Sequence, residues 1–369
     1  MLNRLIEFSL TQRVLTLALM ALLTAFGIRA YLGLPIDAFP DVSTTQVKLI
    51  LKAPGMTPEE VESRIATPIE MEMLGIPNQR LLRSVSKYAL TDITIDFEEG
   101  TDIYWARSQV AERLNGVLGD LPQGVTGGLA PITTPLGEMF MFTVEGGNLS
   151  LADRRSLLDW VIRPQLRTLP GVADVNALGG FVKTFEVVPD SNALAARGVT
   201  LMQLKDAIQA NNRNDGAGRL NEGEEVWLVR IEGAVKTLDD LAAIVVADKN
   251  GVPVRVGDVA NVRTGSLTRY GAVTMGGKGE AVEGLVLGLR GANAGQLVER
   301  VAAKLAEIEK TLPAGVKLVP FYNRGNLVTQ AVDTVSKALY EAVALVLILL
   351  LLFLGNLRAA LVVAVILPL

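Results

Sequence analysis

Two uncharged apolar stretches near opposite ends of the chain constrain it more than anything between them. Val14 to Ile28 reads VLTLALMALLTAFGI, and Ala342 to Leu357 reads AVALVLILLLLFLGNL. A helix that crosses a bilayer needs about 20 residues, so the first run requires Thr11, Gln12 and a snorkelling Arg29 to reach full length. A cleaved secretory signal, with Arg4 and Arg13 as its basic region, is the other reading of that run. The second run is stronger. After Arg358 a third, AALVVAVILPL, continues to Leu369. The chain therefore reads as the N-terminal piece of a polytopic membrane protein.

Flanking charges orient it. Arg4 and Arg13 precede the first span and Arg358 follows the second, which places both ends in the cytoplasm by the positive-inside rule. Residues from about Gly33 to Lys337 then lie across the membrane, with 31 basic and 37 acidic side chains and a net charge of about −6. The acidic balance argues against a nucleic-acid partner. With no Cys and no His there is no thiol nucleophile, imidazole base or zinc finger. A membrane-anchored hydrolase is further disfavoured by the lack of a GxSxG elbow.

Between the spans, strand and helix periods alternate. Gln46 to Lys52 alternates as a strand. Thr57-Pro58-Glu59-Glu60 reads as a capped helix start, followed by Val61, Ile65 and Ile69 at helical spacing, with a kink at Pro68. Arg80–Val85 and Asp92–Phe97 read as a hairpin. Asp102 caps a helix with Ala106, Val110, Leu114 and Val117 on its apolar face. That helix runs into Leu121-Pro122-Gln123-Gly124-Val125. The order then recurs: strand 139–144, helix 151–169 with Leu157, Val161 and Leu166 inward, and strands 171–176 and 281–289. Helix 296–312 follows with Val298, Val301, Leu305 and Ile308 inward, running into Leu312-Pro313-Ala314-Gly315-Val316. Two copies of a βαββαβ, ferredoxin-like unit explain the repeat. Residues 180–272 interrupt the second copy with strands 184–188, 226–232 and 252–256, helix 201–210, and a Gly/Asn-rich arm, NNRNDGAGRLNEGEE. An arm of that length in a compact region is usually functional.

The lead-in LPIDAFPDV (Leu34–Val42), FEEGTDIYWAR (Phe97–Arg107), LDWVIRPQLRTLPGVADV (Leu158–Val175), Gly179-Gly180 and GNLRAALVVAVILPL (Gly355–Leu369) resemble resistance-nodulation-division efflux pumps. The second and third stretches look like the heavy-metal branch, closest to cobalt–zinc–cadmium exporters. The resemblance implies an α+β membrane protein in which transmembrane helices flank a periplasmic region of two porter subdomains and an inserted docking subdomain. It assigns 1–34 to an amphipathic segment and the first span, and 35–133 to the first porter subdomain. The second porter subdomain is 134–181 and 273–330, the docking subdomain 182–272, the second span 331–357 and the start of a third 358–369. It further implies proton-driven export from the inner membrane, a homotrimer, a periplasmic adaptor and an outer-membrane channel, with the lipid bilayer as surroundings. No resident cofactor is expected, the divalent metal ion being the transported substrate. Drug-pumping relatives, and two-span transmitters of ABC-type exporters, are the competing readings.

A metal held without His or Cys needs Asp, Glu, Met, backbone or water. In related pumps the ends of the second-module strands line the substrate cleft, so Glu138 and Asp174 are the candidate cation ligands. One strand between theirs separates them by roughly 10 Å, which suits sequential sites better than one ion. The alternative is a pair of solvated strand-edge acids. Met139 and Met141 share a strand face, and a core role competes with a soft-metal path. Ser266-Leu267-Thr268-Arg269 stands where copper–silver members carry a Met, which favours a harder ion. Near the site only Phe140, Phe142 and Phe181 offer the aromatic lining of a drug cleft. Asn211, Asn212, Asn214 and Asp215 open the arm, which resembles a loop reaching into a neighbouring subunit; the alternative is a loose surface hairpin. Glu98-Glu99 and Asp239-Asp240 read as solvated turns, and the Gly-Gly pairs as turns without Walker or Rossmann context.

Overall fold

The structure is a computed structural model that describes residues 2–33, 43–249, 251–355 and 357. The Leu34–Val42 lead-in and the third apolar run lie outside the described residues. A short helix, α1 (Leu2–Thr11), precedes α2 (Arg13–Gly33), whose apolar surface is exposed from Arg13 to Ala30.

The first sheet begins with β1 (Gln46–Lys52). The helix α3 (Pro58–Val61) starts at Thr57, whose hydroxyl accepts from Glu60 N–H while the Glu60 carboxylate accepts from Thr57 N–H. Sequence and geometry agree here because both bonds are local. A π-type turn (Glu62–Ala66) follows, then α4 (Thr67–Met73) with Pro68 at its start. Thr67 N–H reaches back five residues to Glu62 O. The widened turn accommodates a proline ring that would otherwise collide with the preceding carbonyls. The strands β2 (Gln79–Lys87) and β3 (Leu90–Phe97) form the hairpin, α5 (Ile103–Val117) is capped by Asp102 through Trp105 N–H at 2.8 Å, and β4 (Thr126–Leu129) closes the sheet. Its order is β2-β3-β1-β4. Ile93, Ile95 and Phe97 of β3 meet Val47, Leu49 and Leu51 of β1 beneath Ile65, Ile69, Ala106 and Val110, all fully or nearly fully buried.

The second sheet repeats this plan. In chain order come β5 (Glu138–Gly146), α6 (Leu151–Leu157), a π-type turn (Leu158–Ile162), α7 (Arg163–Arg167) and β6 (Val172–Gly179). Both π-turns end two residues before a proline, Pro68 in the first copy and Pro164 in the second. Leu158, Ile162 and Leu166 are the buried residues of this helix, whereas Leu157 and Val161, expected inward, are half-buried. Apolar residues occupy both adjacent phases, and periodicity alone does not choose between them.

The insert contains β7 (Lys183–Pro189), α8 (Ser191–Arg197), α9 (Leu201–Asn211), the ribbon β8 (Asp215–Glu222) and β9 (Glu225–Ile231), and α10 (Leu238–Ala243). It continues with β10 (Val245–Lys249), β11 (Val252–Arg255), α11 (Val256–Val259) and β12 (Ala260–Ser266). Leu204, Leu241, Val256 and Val259 centre its own small core. Asp239-Asp240 is not a bare solvated turn: Asp240 accepts from Lys236 and Thr237 N–H and closes a capping box with Thr237.

The chain returns through β13 (Val273–Thr274), β14 (Glu280–Gly288), α12 (Ala294–Glu309) and β15 (Val316–Asn323). The second sheet has order β13-β14-β5-β15, with β6 also pairing β14. Both sheets therefore run second, third, first, fourth strand. The predicted stripe Val298, Val301, Leu305 and Ile308 is buried. The helix α13 (Arg324–Leu354) follows β15 without a linker and starts earlier than the apolar run that marks it. Among the described residues, two helices, over Arg13–Ala30 and Arg324–Phe353, are long and apolar enough to cross a membrane.

Compactness divides the chain into Met1–Thr143, Ile162–Asn176 and Gly284–Leu369 on one hand, and Val144–Val161 and Ala177–Glu283 on the other. In the first unit Gly284 of β14 is where a Cβ would lie 2.4 Å from Phe142 Cζ, and Phe142 is fully buried. Gly284→Ala should therefore lower stability by about 1–3 kcal/mol through overpacking. A fall in the apparent melting temperature of the purified protein is the expected readout.

Candidate functional site

The two proposed carboxylates stand in different surroundings. Glu138 is exposed at the first position of β5. Asp174 lies on β6 beside the fully buried Val175, and its carboxylate is only 16% exposed. Two arginines clamp it: Arg163 Nη2 at 3.3 Å and Arg167 Nε at 3.1 Å. The same carboxylate accepts from Val175 N–H at 2.7 Å. One helical turn separates the two arginines, which is why both reach a single strand residue. The charge of Asp174 is thus compensated, and a cation at this position would have to displace two guanidinium groups. The clamp was readable only as Arg-Pro-Gln-Leu-Arg; nothing local names its acidic partner.

The sheet order β6-β14-β5 leaves one strand between these two residues. Among the described residues, no group of three or more Asp or Glu side chains is arranged to hold a metal ion. Met139 is buried, with its Cγ close over Gly288 and beside Leu297, as a core side chain would be.

The arm residues hold the base of the β8–β9 ribbon. Asn214 Oδ1 accepts from Gly233 N–H at 3.1 Å and Ala234 N–H at 3.0 Å, and Asn212 Oδ1 accepts from Val235 N–H at 3.0 Å. Asn211 Nδ2 donates to Ala207 O at the end of α9, and Asp215 pairs with Arg213 at 3.0 Å. Beyond that base every residue of β8 and β9 is exposed, including Leu220, Val226, Trp227, Leu228 and Ile231. A two-stranded ribbon with this much exposed apolar surface has no core of its own.

Where the insert leaves β6, Gly179 and Gly180 take φ of +68° and +66°, and a Cβ on Gly179 would lie 2.3 Å from Ala281 O. Only glycine fits that crossing. Arg155 Nη1 donates to Gly179 O at 2.7 Å. On the returning chain Arg269 stacks over Phe181, 3.9 Å from the ring centroid, and makes two bonds to Glu280 at 2.6 and 3.0 Å. Arg269 closes the Ser266–Arg269 stretch, and it is spent on an ion pair and a ring.

The profile of the AcrB/AcrD/AcrF family matches residues 5–369. The chain belongs to that family. It is 42% identical over its whole length to the cation efflux system protein CzcA of Alcaligenes sp. (strain CT14), covering 36% of that protein. The cobalt-zinc-cadmium resistance protein CzcA of Cupriavidus metallidurans is also 42% identical, again with all of this chain and 36% of the relative aligned. A crystal structure of a heavy metal efflux pump superposes with a TM-score of 0.90 at 36% identity, over 98% of this chain and 36% of that one. The chain thus spans about a third of the length of these members of the AcrB/AcrD/AcrF family. Membership sets aside a transmitter of an ABC-type exporter, and the heavy-metal branch read from FEEGTDIYWAR and LDWVIRPQLRTLPGVADV is the branch of these relatives.

Two outcomes follow from the ion pairs. Asp174→Ala should cost about 1–2 kcal/mol, between the values for surface and buried pairs, and equally with and without metal in thermal unfolding. The Glu280 carboxyl is held below its ordinary 4.5, chiefly by the Arg269 hydrogen bond, with partial desolvation opposing it. A lowered acid stabilises above its unfolded pKa and loses that contribution as pH falls through its folded one. Glu280→Gln should therefore flatten the loss of stability below about pH 4.5 in acid unfolding.

Proposed function

We propose that this chain is part of an inner-membrane pump that exports divalent heavy-metal cations of the zinc, cobalt and cadmium kind in exchange for protons. The observation that carries this is the 42% identity, across the whole chain, to a protein named for cobalt, zinc and cadmium resistance. In this reading α2 and α13 cross the membrane with residues 43–323 in the periplasm, the orientation favoured by Arg4, Arg13 and Arg358. The two sheets are porter subdomains and residues 182–272 a docking subdomain. The pump works as a homotrimer with a periplasmic adaptor and an outer-membrane channel. The arm, pinned by Asn211, Asn212, Asn214 and Asp215, lays its exposed apolar ribbon against a neighbouring copy, which the lack of a core beneath it supports.

Cation contact in this reading falls to Glu138, which is exposed, with further ligands from backbone, water or parts of the pump beyond this chain. Asp174 takes part by positioning β6, since its carboxylate is already bound by Arg163 and Arg167. The complete pump, expressed in an exporter-deleted strain, should restore growth on zinc or cobalt. Glu138→Ala at equal expression should reduce that tolerance severalfold, the scale of one lost charge-assisted contact. Unchanged tolerance would reject Glu138 as a ligand, and no tolerance from the unmutated pump would reject the export reading itself.

A further inference from the structure

The eight residues Ala130 to Gly137 join the two sheets, and the guanidinium groups of Arg107 and Arg324 and the backbone of Arg290 meet their carbonyls. Arg107 of α5 donates from Nη1 to Ala130 O at 2.5 Å. Arg290, after β14, bonds Ile132 O through its backbone N–H at 3.3 Å. Its guanidinium meanwhile reaches Ser43 O at 2.7 Å, Thr44 O at 3.3 Å and Thr45 Oγ1 at 3.2 Å, ahead of β1. Arg324, the first residue of α13, donates from Nη1 to Leu136 O, and Gly288 N–H closes on Gly137 O at 2.8 Å.

Arg324 is the most buried member of this set. It is 4% exposed, although its side chain ends in a guanidinium. It sits at the N-terminus of a 31-residue helix, where the positive end of the helix dipole opposes a cation. The neighbouring Asn323 makes no side-chain cap, and its Oδ1 is buried without a hydrogen-bond partner. A Cβ on Gly325 would lie 3.3 Å from Val298 Cγ1 of α12, so the first turn of α13 is packed into the second sheet's helix layer. Local arrangements that oppose the dipole and strand a polar atom persist where their surroundings impose them, and such places concentrate at working joints.

We propose that Arg324 is a positioning residue that fastens α13 to the inter-sheet linker, so that a shift or tilt of this apolar helix moves residues 130–137. Arg290 passes the displacement on to the chain entering β1. The buried guanidinium suits this work because several fixed donors hold a carbonyl in direction as well as distance, which one ammonium does not. The consequence for transport rests on the export reading above; the fastening itself does not.

The test uses the complete pump with Arg324→Gln, Arg324→Lys and, as control on the same helix, Lys337→Gln, whose side chain is 78% exposed. One arm measures zinc transport in proteoliposomes. The other follows hydrogen exchange at the Thr133 and Gly137 amides, which bond Pro131 O and Thr134 O within the linker. Arg324→Gln should speed exchange about tenfold and lower the maximal transport rate about tenfold with KM unchanged, the scale of one lost charge-assisted bond. Arg324→Lys should fall between, and Lys337→Gln should match the unmutated pump. Unchanged exchange in Arg324→Gln, or faster exchange with transport intact, overturns the proposal. If the unmutated pump moves no zinc, the export reading fails and exchange alone decides the fastening.

Discussion

Burial of the apolar face of each sheet against two helices is the constraint on which the rest depends. In the first sheet, Ile93, Ile95 and Phe97 alternate with Asp92, Thr94 and Asp96, so one face of β3 is apolar and the other polar, although Thr94 and Asp96 are buried as well, Asp96 against Arg83. Each large side chain removed from water contributes about 1.5–3 kcal/mol, and a slip of one residue would turn the whole set onto the polar face. Register, helix placement and strand order follow from that penalty. The same arrangement recurs in the second sheet, down to a π-turn set two residues before a proline in the first helix of each copy.

The insert obeys a different logic. It has its own small core around Leu204, Leu241 and Val256, yet its ribbon buries nothing. What ties the insert to the strand it leaves is polar and close-packed: the glycine pair, Arg155 on a carbonyl, and Arg269 between Phe181 and Glu280. An added Cβ there would lie 2–3 Å from neighbouring backbone oxygens, so glycine answers a steric demand. The arginines satisfy carbonyls that the crossing leaves outside any ladder.

Arginine is the recurrent tool at the joints. Arg163 and Arg167 hold Asp174, Arg107 and Arg324 hold the linker, and Arg290 bridges the linker and the chain ahead of β1. A planar guanidinium with several fixed donors serves such places better than lysine does. Carboxylates tied up in this way are not open ligands, and that separates Asp174 from Glu138.

Local signals were legible in the sequence. Capping residues Thr57 and Asp102, the stripes Ala106–Val110–Leu114–Val117 and Val298–Val301–Leu305–Ile308, the two apolar helices and the repeated LPxGV ends all involve neighbours a few residues apart. The helix at 151–167 was harder, because Leu157/Leu158 and Val161/Ile162 offer two equally apolar phases and a π-turn shifts the register between them. The fate of the candidate site residues was not legible. Whether Asp174 stays open, whether Arg269 pairs with Glu280, and whether Arg324 reaches Leu136 depend on residues from seven to almost two hundred positions away. A side chain's spacing along the chain determines which face it takes, but the charge it meets there is chosen only when distant segments pack.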